Sequence, residues 1–403
     1  MNGFWNLVGF EYKKILGKRS VQITLLLAVL VTAFCVVATL LGGYYVDGNY
    51  ESNYDAMVKD RAYVRTISGR MLDGRLIMET VNAYAQIPEA DRYQDTQEFQ
   101  TIARPYSAVY GIVRSVFNTD SKRFNMEDFK VLSKTQAGQF YDTRHDRIAQ
   151  IVELTRMSGK AKEQVLALDE QVKMFKFSYT DGYTRFFVLS SMLGLIAAFV
   201  MAVCVAPLFS GEYTSGADQL ILSSRRGKNS LITAKLFTGF SLAGVICLTL
   251  AALSFGLSMT VFGSDGGSAP LQLYRILSPY PLTMGQTMLL LLTCIFFACI
   301  MTAAITMLLS AKLKTPFSVI ILVGVLLIAP MLGSVSEKNI LLYNLYHLFP
   351  TQMAAFGSVI DGIQYGFLGL VVRPYVFLPL FAAAISVVLT PLAYRSFKNH
   401  QIG

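Results

Sequence analysis

Six stretches of this chain are long enough and apolar enough to cross a lipid bilayer: Val21 to Tyr45, Phe186 to Phe209, Leu231 to Phe262, Met284 to Ala311, Thr315 to Gly333 and Tyr375 to Tyr394. A spanning helix needs about 20 mainly apolar residues, because hydrocarbon offers no partner to an unpaired backbone group. None of the six holds an Asp or Glu. Only 15% of the 403 residues are charged and the mean hydropathy is +0.46. A soluble domain carries about 25% charged residues. The pattern therefore predicts an all-α integral membrane protein with six transmembrane helices. A seventh apolar stretch, residues 340–372, is broken by Pro350, Asp361 and several glycines, which reads as interfacial or re-entrant helices.

Charge sets the orientation. Lys and Arg collect on the cytoplasmic side of spans. Placing residues 1–20, the even-numbered short loops and the C-terminus together gathers Lys13, Lys14, Lys18, Arg19, Arg225, Arg226, Lys228, Lys235, Lys312, Lys314, Arg395 and Lys398 against the acids Glu11, Glu212 and Asp218. That side then carries the whole net charge of +9, and both termini are expected in the cytoplasm. These bases are short clusters flanking spans, so topology accounts for them and nucleic acid is not expected as a partner. No small-residue cleavage site follows the first run, which reads as an uncleaved signal anchor.

The expected division of the chain follows. Residues 1–20 hold Phe4, Trp5, Val8, Glu11, Ile15 and Leu16 at helical spacing with Lys13, Lys14 and Lys18 opposite, the pattern of a helix lying in the membrane interface. It serves either as an anchor or as an elbow that passes force to the first span, residues 21–45. Residues 46–184 form a polar, extracellular helical domain with nearly balanced charge. Two apolar stripes in it, Val64 to Ala85 and Ala161 to Tyr179, predict antiparallel helices packed as a stalk. Residues 185–403 make a five-span core with a cytoplasmic loop at 210–230.

Several chemistries are excluded. The five cysteines all lie within spans, so no disulfide framework holds the outer domain. CxxC and HExxH are absent and the three histidines are scattered, so no metal is expected. Gly159-Lys160 and Gly227-Lys228 have Leu154 and Leu222 where a P-loop needs glycine. No cofactor is therefore expected in this chain. Spans without His or Asp leave an intramembrane hydrolase without a base. Spans without acids disfavour ion-coupled transport.

The loop between the second and third spans carries the most specific signal. Residues 216–224 predict a short helix with Leu220 and Leu222 partly exposed, ended by the Arg-Arg-Gly that follows. A loop that only holds topology needs no apolar ridge. The order Phe209, Glu212, Gly216, Leu220, Leu222, Ser223, Arg226, Lys235 resembles the coupling loop of ABC-2-type transporter permeases. The six-span plan, the N-terminal helix and the broken stretch before the last span are similar too. Ser224-Arg225 stands where that family often has proline, and the large outer domain is present in only some members.

The resemblance implies separate ABC ATPase subunits, which hold ATP and Mg and push on the coupling loop, and a second permease, copy or paralogue, facing this one. Glu212, Gly216, Leu220, Leu222, Arg225, Arg226 and Lys228 would contact or orient the ATPase. The expected protein is the permease subunit of an ABC exporter in a bacterial plasma membrane, moving an amphipathic or lipid-like cargo such as an antimicrobial peptide. Gly239, Ala243 and Gly244 are candidates for close helix approach at a dimer face or within the bundle. The rival reading is a membrane sensor or scaffold whose outer domain binds a ligand. Such a receptor would survive loss of the third to sixth spans, which a permease would not.

Overall fold

The computed structural model describes residues 2–400 except 47, 120–122, 156, 225–226, 337, 362–363 and 368–369. Among these, five helices are long and apolar enough to cross a membrane: Arg19–Leu40, Asp181–Ser215, Asn229–Phe262, Met284–Lys312 and Pro374–Lys398. The chain is thus a helical, multi-pass membrane protein. The run expected as a fifth span forms a shorter apolar helix, Pro316–Met331. At 1.5 Å per residue it covers about 24 Å, less than the ~30 Å hydrocarbon core. Proline brackets it at both ends, with Pro316 in its first turn and Pro330 in the closing 3₁₀ turn. The first long helix also stops earlier than the apolar run, because the chain turns into a hairpin in which Gly43–Val46 pairs with Asn49–Ser52.

The chain divides into two compact units. The first comprises Met1–Phe34, Phe187–Gly256 and Leu289–Gly403. Its helices pack through small residues. A Cβ on Gly239 would lie 2.5 Å from the Met307 sulfur, and one on Gly244 would touch the Phe296 ring at 3.4 Å. These glycines, together with the fully buried Ala243, serve packing within the bundle. Cys204, Cys247, Cys294 and Cys299 are buried, reduced core residues. The stretch after the short apolar helix breaks into Ile340–Tyr346, Pro350–Met353, a π turn at Gly357–Asp361 and a hairpin of Tyr365–Phe367 with Leu370–Val372.

The second unit comprises Cys35–Phe186 and Leu257–Met288. It is helical, but it is not the expected two-helix stalk. The first stripe is cut at Ser68-Gly69, where Gly69 takes φ +85° and the chain restarts at Gly74 under an Asp73 cap. The second stripe is helical only as far as Asp169. Beyond it Phe175 and Phe177 are extended, and their carbonyls accept hydrogen bonds from the Leu72 and Gly69 amides at 3.0 and 2.8 Å. Helical spacing thus persisted in residues whose backbone hydrogen bonds go sideways. The core is aromatic and aliphatic, built on helices Gly74–Ala85 and Ser107–Phe117 with Phe129, Phe140, Phe175 and Phe177. The segment between the third and fourth long helices joins it, and buried Arg144 donates to the Ile276 and Ser278 carbonyls at 2.7 and 2.8 Å.

Candidate functional site

The sequence-predicted loop is held in the first unit by three separate anchors. The first is a helix break. Pro207 opens the helix Pro207–Ser215 directly after Ala206, and Pro has no amide to donate. The first turn therefore leaves orphan groups. The hydroxyl of Ser310, on the fourth long helix, accepts from the Phe209 and Ser210 amides at 3.0 Å each and donates to the Ala206 carbonyl at 2.6 Å. One buried hydroxyl thus satisfies three backbone groups at the bend.

The second anchor is aromatic. Phe209 and Tyr213 stack on Phe397 near the C-terminus, with ring centroids 4.8 and 5.5 Å apart, and the Tyr213 hydroxyl donates to the Ala311 carbonyl at 2.8 Å. Further along the loop, Asn229 Oδ1 accepts from the Tyr394 hydroxyl at 2.8 Å and from Lys398 Nζ at 3.2 Å.

The third anchor is a cluster of four charges, three of them buried. Lys235, in the first turns of the third long helix, is fully buried, and Glu11 and Glu212 are each 2% exposed. The Lys235 ammonium lies 2.9 Å from Glu11 and 2.5 Å from Glu212. Lys14 Nζ reaches the same Glu212 oxygen at 2.5 Å. Two cations and two carboxylates therefore cancel, which is the condition for burying them. Glu11 and Lys14 share one face of the N-terminal helix Asn2–Leu16, whose Val8 and Ile15 are also buried. Tyr12 adds a hydrogen bond to Ser241 Oγ at 2.7 Å. Neighbouring Lys18 titrates below the ordinary lysine value, through desolvation of its ammonium and then repulsion from Lys14.

From this base the loop projects a short helix. Gly216, at φ +68°, ends Pro207–Ser215 in the left-handed conformation and starts Ala217–Ser223. Leu220 stands 76% exposed at its surface, whereas Leu222 is 4% exposed and faces inward. Both were expected on the exposed ridge. Helical residues two apart point about 200° away from each other, so one face cannot hold both. Glu212, expected to contact or orient the ATPase, is buried in the charge cluster. Arg225, Arg226 and the Lys228 side chain lie outside the described residues. Sequence reading missed the pairing of Glu11 with Lys235, although each was a charge standing in an apolar pattern.

The loop thus presents an exposed leucine from a segment tied to the N-terminal helix and to the third, fourth and fifth long helices. A family model described as ABC-2 family transporter protein matches residues 19–390. The chain belongs to the ABC-2 transporter family. Membership covers nearly the whole chain and implies a permease subunit of an ABC transporter that works with an ABC ATPase subunit. Such a subunit usually has no ATPase of its own. No curated relative and no solved structure matches the chain.

Proposed function

We propose that this permease is the membrane half of an ATP-driven exporter in the plasma membrane, with both termini in the cytoplasm and residues 46–184 outside. The motor is a separate ATPase, and a second permease, copy or paralogue, completes the path. Pro316–Met331 acts as the fifth of six spans, with the short helices and hairpin of residues 340–372 at the outer exit. The cargo is amphipathic or lipid-like, of the kind an antimicrobial peptide represents, since acid-free spans offer little to a small hydrophilic solute.

One observation carries this reading: Leu220 is exposed on a seven-residue helix whose preceding segment is tied by Glu212 to Lys235 and Lys14. Pressure on that knob would be carried by ion pairs to the N-terminal elbow helix and the third span together. The test is Leu220→Glu, which places a charge at an exposed site without disturbing the interior. In proteoliposomes holding the permease and its co-purifying ATPase, permease-stimulated ATP hydrolysis should fall at least tenfold while the variant still inserts. Unchanged stimulation would exclude Leu220 from coupling. Absence of any co-purifying P-loop protein, with a non-hydrolysable ATP analogue present, would exclude the exporter.

A further inference from the structure

The second unit contains a cleft of about 260 Å³ that the coupling argument does not use. Its floor is apolar, formed by Val64, Ile112, Phe177 and Ile276, and its rim is polar, with Ser115, Ser178, Thr184 and the Asp181 carboxylate. Phe177 and Ile276 belong to the unit's core, so the floor is rigid. Asp181 is exposed and brings the one formal charge among the residues lining the cleft. Its carboxylate is hydrogen-bonded by the Tyr179 side chain, and the other charge that bears on it is a carboxylate, Asp60, and not a cation. The two nearby guanidiniums are engaged elsewhere, Arg65 on Asp265 at 2.6 Å and Arg61 on the Val261 carbonyl at 3.3 Å. Ligand clefts combine an apolar lining with a few polar groups that fix orientation. An apolar floor below a carboxylate that no lining cation neutralises selects an apolar body bearing a positive head.

We infer that this cleft is a binding site for a cationic amphiphile, an alkyl- or arylammonium group of the size of a lysine or phenylalkylamine side chain. The volume lies just below the range of about 300–1,000 Å³ typical of drug-sized pockets, so it takes one such group and not a folded ligand. As a site that samples cargo it rests on the exporter reading, which it narrows to cationic amphiphiles. As a binding site it needs neither ATP nor the coupling loop. A negative result here leaves the Leu220 test untouched, and the converse also holds.

The experiment uses the full chain in lipid nanodiscs, titrated with hexylammonium, hexanol and hexanoate and read by saturation-transfer NMR. Two variants subtract partition into lipid. Asp181→Asn removes the charge. Gly111→Leu fills the cleft from the helix Ser107–Phe117, where an added Cβ meets nothing within 4 Å. Ser115→Leu fills it from the same helix if the glycine variant does not stay monodisperse. Hexylammonium should bind the unaltered chain saturably, at least tenfold more weakly in Asp181→Asn and in the filled variant, and hexanoate should not compete. Equal responses in all proteins, or no saturable response in the unaltered chain, would overturn the site. Binding that fills the cleft but ignores Asp181→Asn, or that accepts hexanoate equally, would overturn the cationic class.

Discussion

Lys235→Met is the sharpest perturbation of the charge cluster. Methionine keeps the volume of the buried stem and deletes only the ammonium. Glu212 still has Lys14 at 2.5 Å. Glu11 has no other bonded partner among the described residues, and at 2% exposed it cannot recover water. Removing one partner of a buried pair costs about 3–5 kcal/mol. For a unit of this size, each kcal/mol moves the midpoint by about 2–4 °C. The expected loss is therefore about 6–20 °C, read as the fraction surviving heating by fluorescence-detected size exclusion in mild detergent. Lys14→Met should cost about 1 kcal/mol or less, since that lysine is 35% exposed and already partly hydrated. The decisive variant is Glu11→Gln combined with Lys235→Met. It leaves Lys14 and Glu212 as a balanced pair and should be more stable than Lys235→Met alone. A double variant as unstable as the sum of its parts would refute the cluster as an energetic unit. So would a Lys235→Met loss no larger than that of Lys14→Met.

Three further predictions address other parts of the chain. Gly216→Ala forces a Cβ into φ +68° and should cost about 1–2 kcal/mol, measured as a lower thermal midpoint together with weaker ATPase stimulation. Gly266→Ala combines φ +84° with a Cβ that would sit 2.4 Å from the Tyr179 carbonyl oxygen, so the second unit should lose protease resistance while the helices of the first stay protected. In that second unit, burial pushes the Glu51 carboxyl upward, but Lys59, Tyr44 and the buried Arg104 outweigh it and hold the group below its ordinary value. A depressed carboxyl stabilises the fold above its ordinary range and loses that contribution as pH falls through the folded value. Thermal scans from pH 7 to pH 3 should therefore show an acid limb that flattens in Glu51→Gln, and an unaltered limb would contradict the assignment.

How far such features can be read from sequence depends on what each pattern encodes. The apolar runs were legible because lipid leaves a backbone no choice but a closed helix. Five of the six form long apolar helices, whereas the fifth run, bracketed by prolines, forms only the shorter Pro316–Met331, and the first ends early at the Gly43 hairpin. The outer unit was misread because apolar spacing records which side of a segment is buried and is silent about where its amides bond. Phe175 and Phe177 keep their place in the stripe while pairing with Gly69 and Leu72. The charge cluster lay between these cases. Val8, Glu11 and Ile15 occupy one buried face of the N-terminal helix, so an acid sat where every neighbour was apolar. Lys235 likewise sat inside the third apolar run. Each alone read as topology or snorkelling. A charge that cannot reach water demands an opposite charge, and two such misfits of opposite sign in one chain predict each other. That inference supplies the Glu11–Lys235 pair without coordinates, and the cluster's neutrality then requires Glu212 and Lys14 to be counted together. In this permease, the acid that marks the loop by resemblance is therefore buried among opposite charges, while Leu220 beyond it stays exposed.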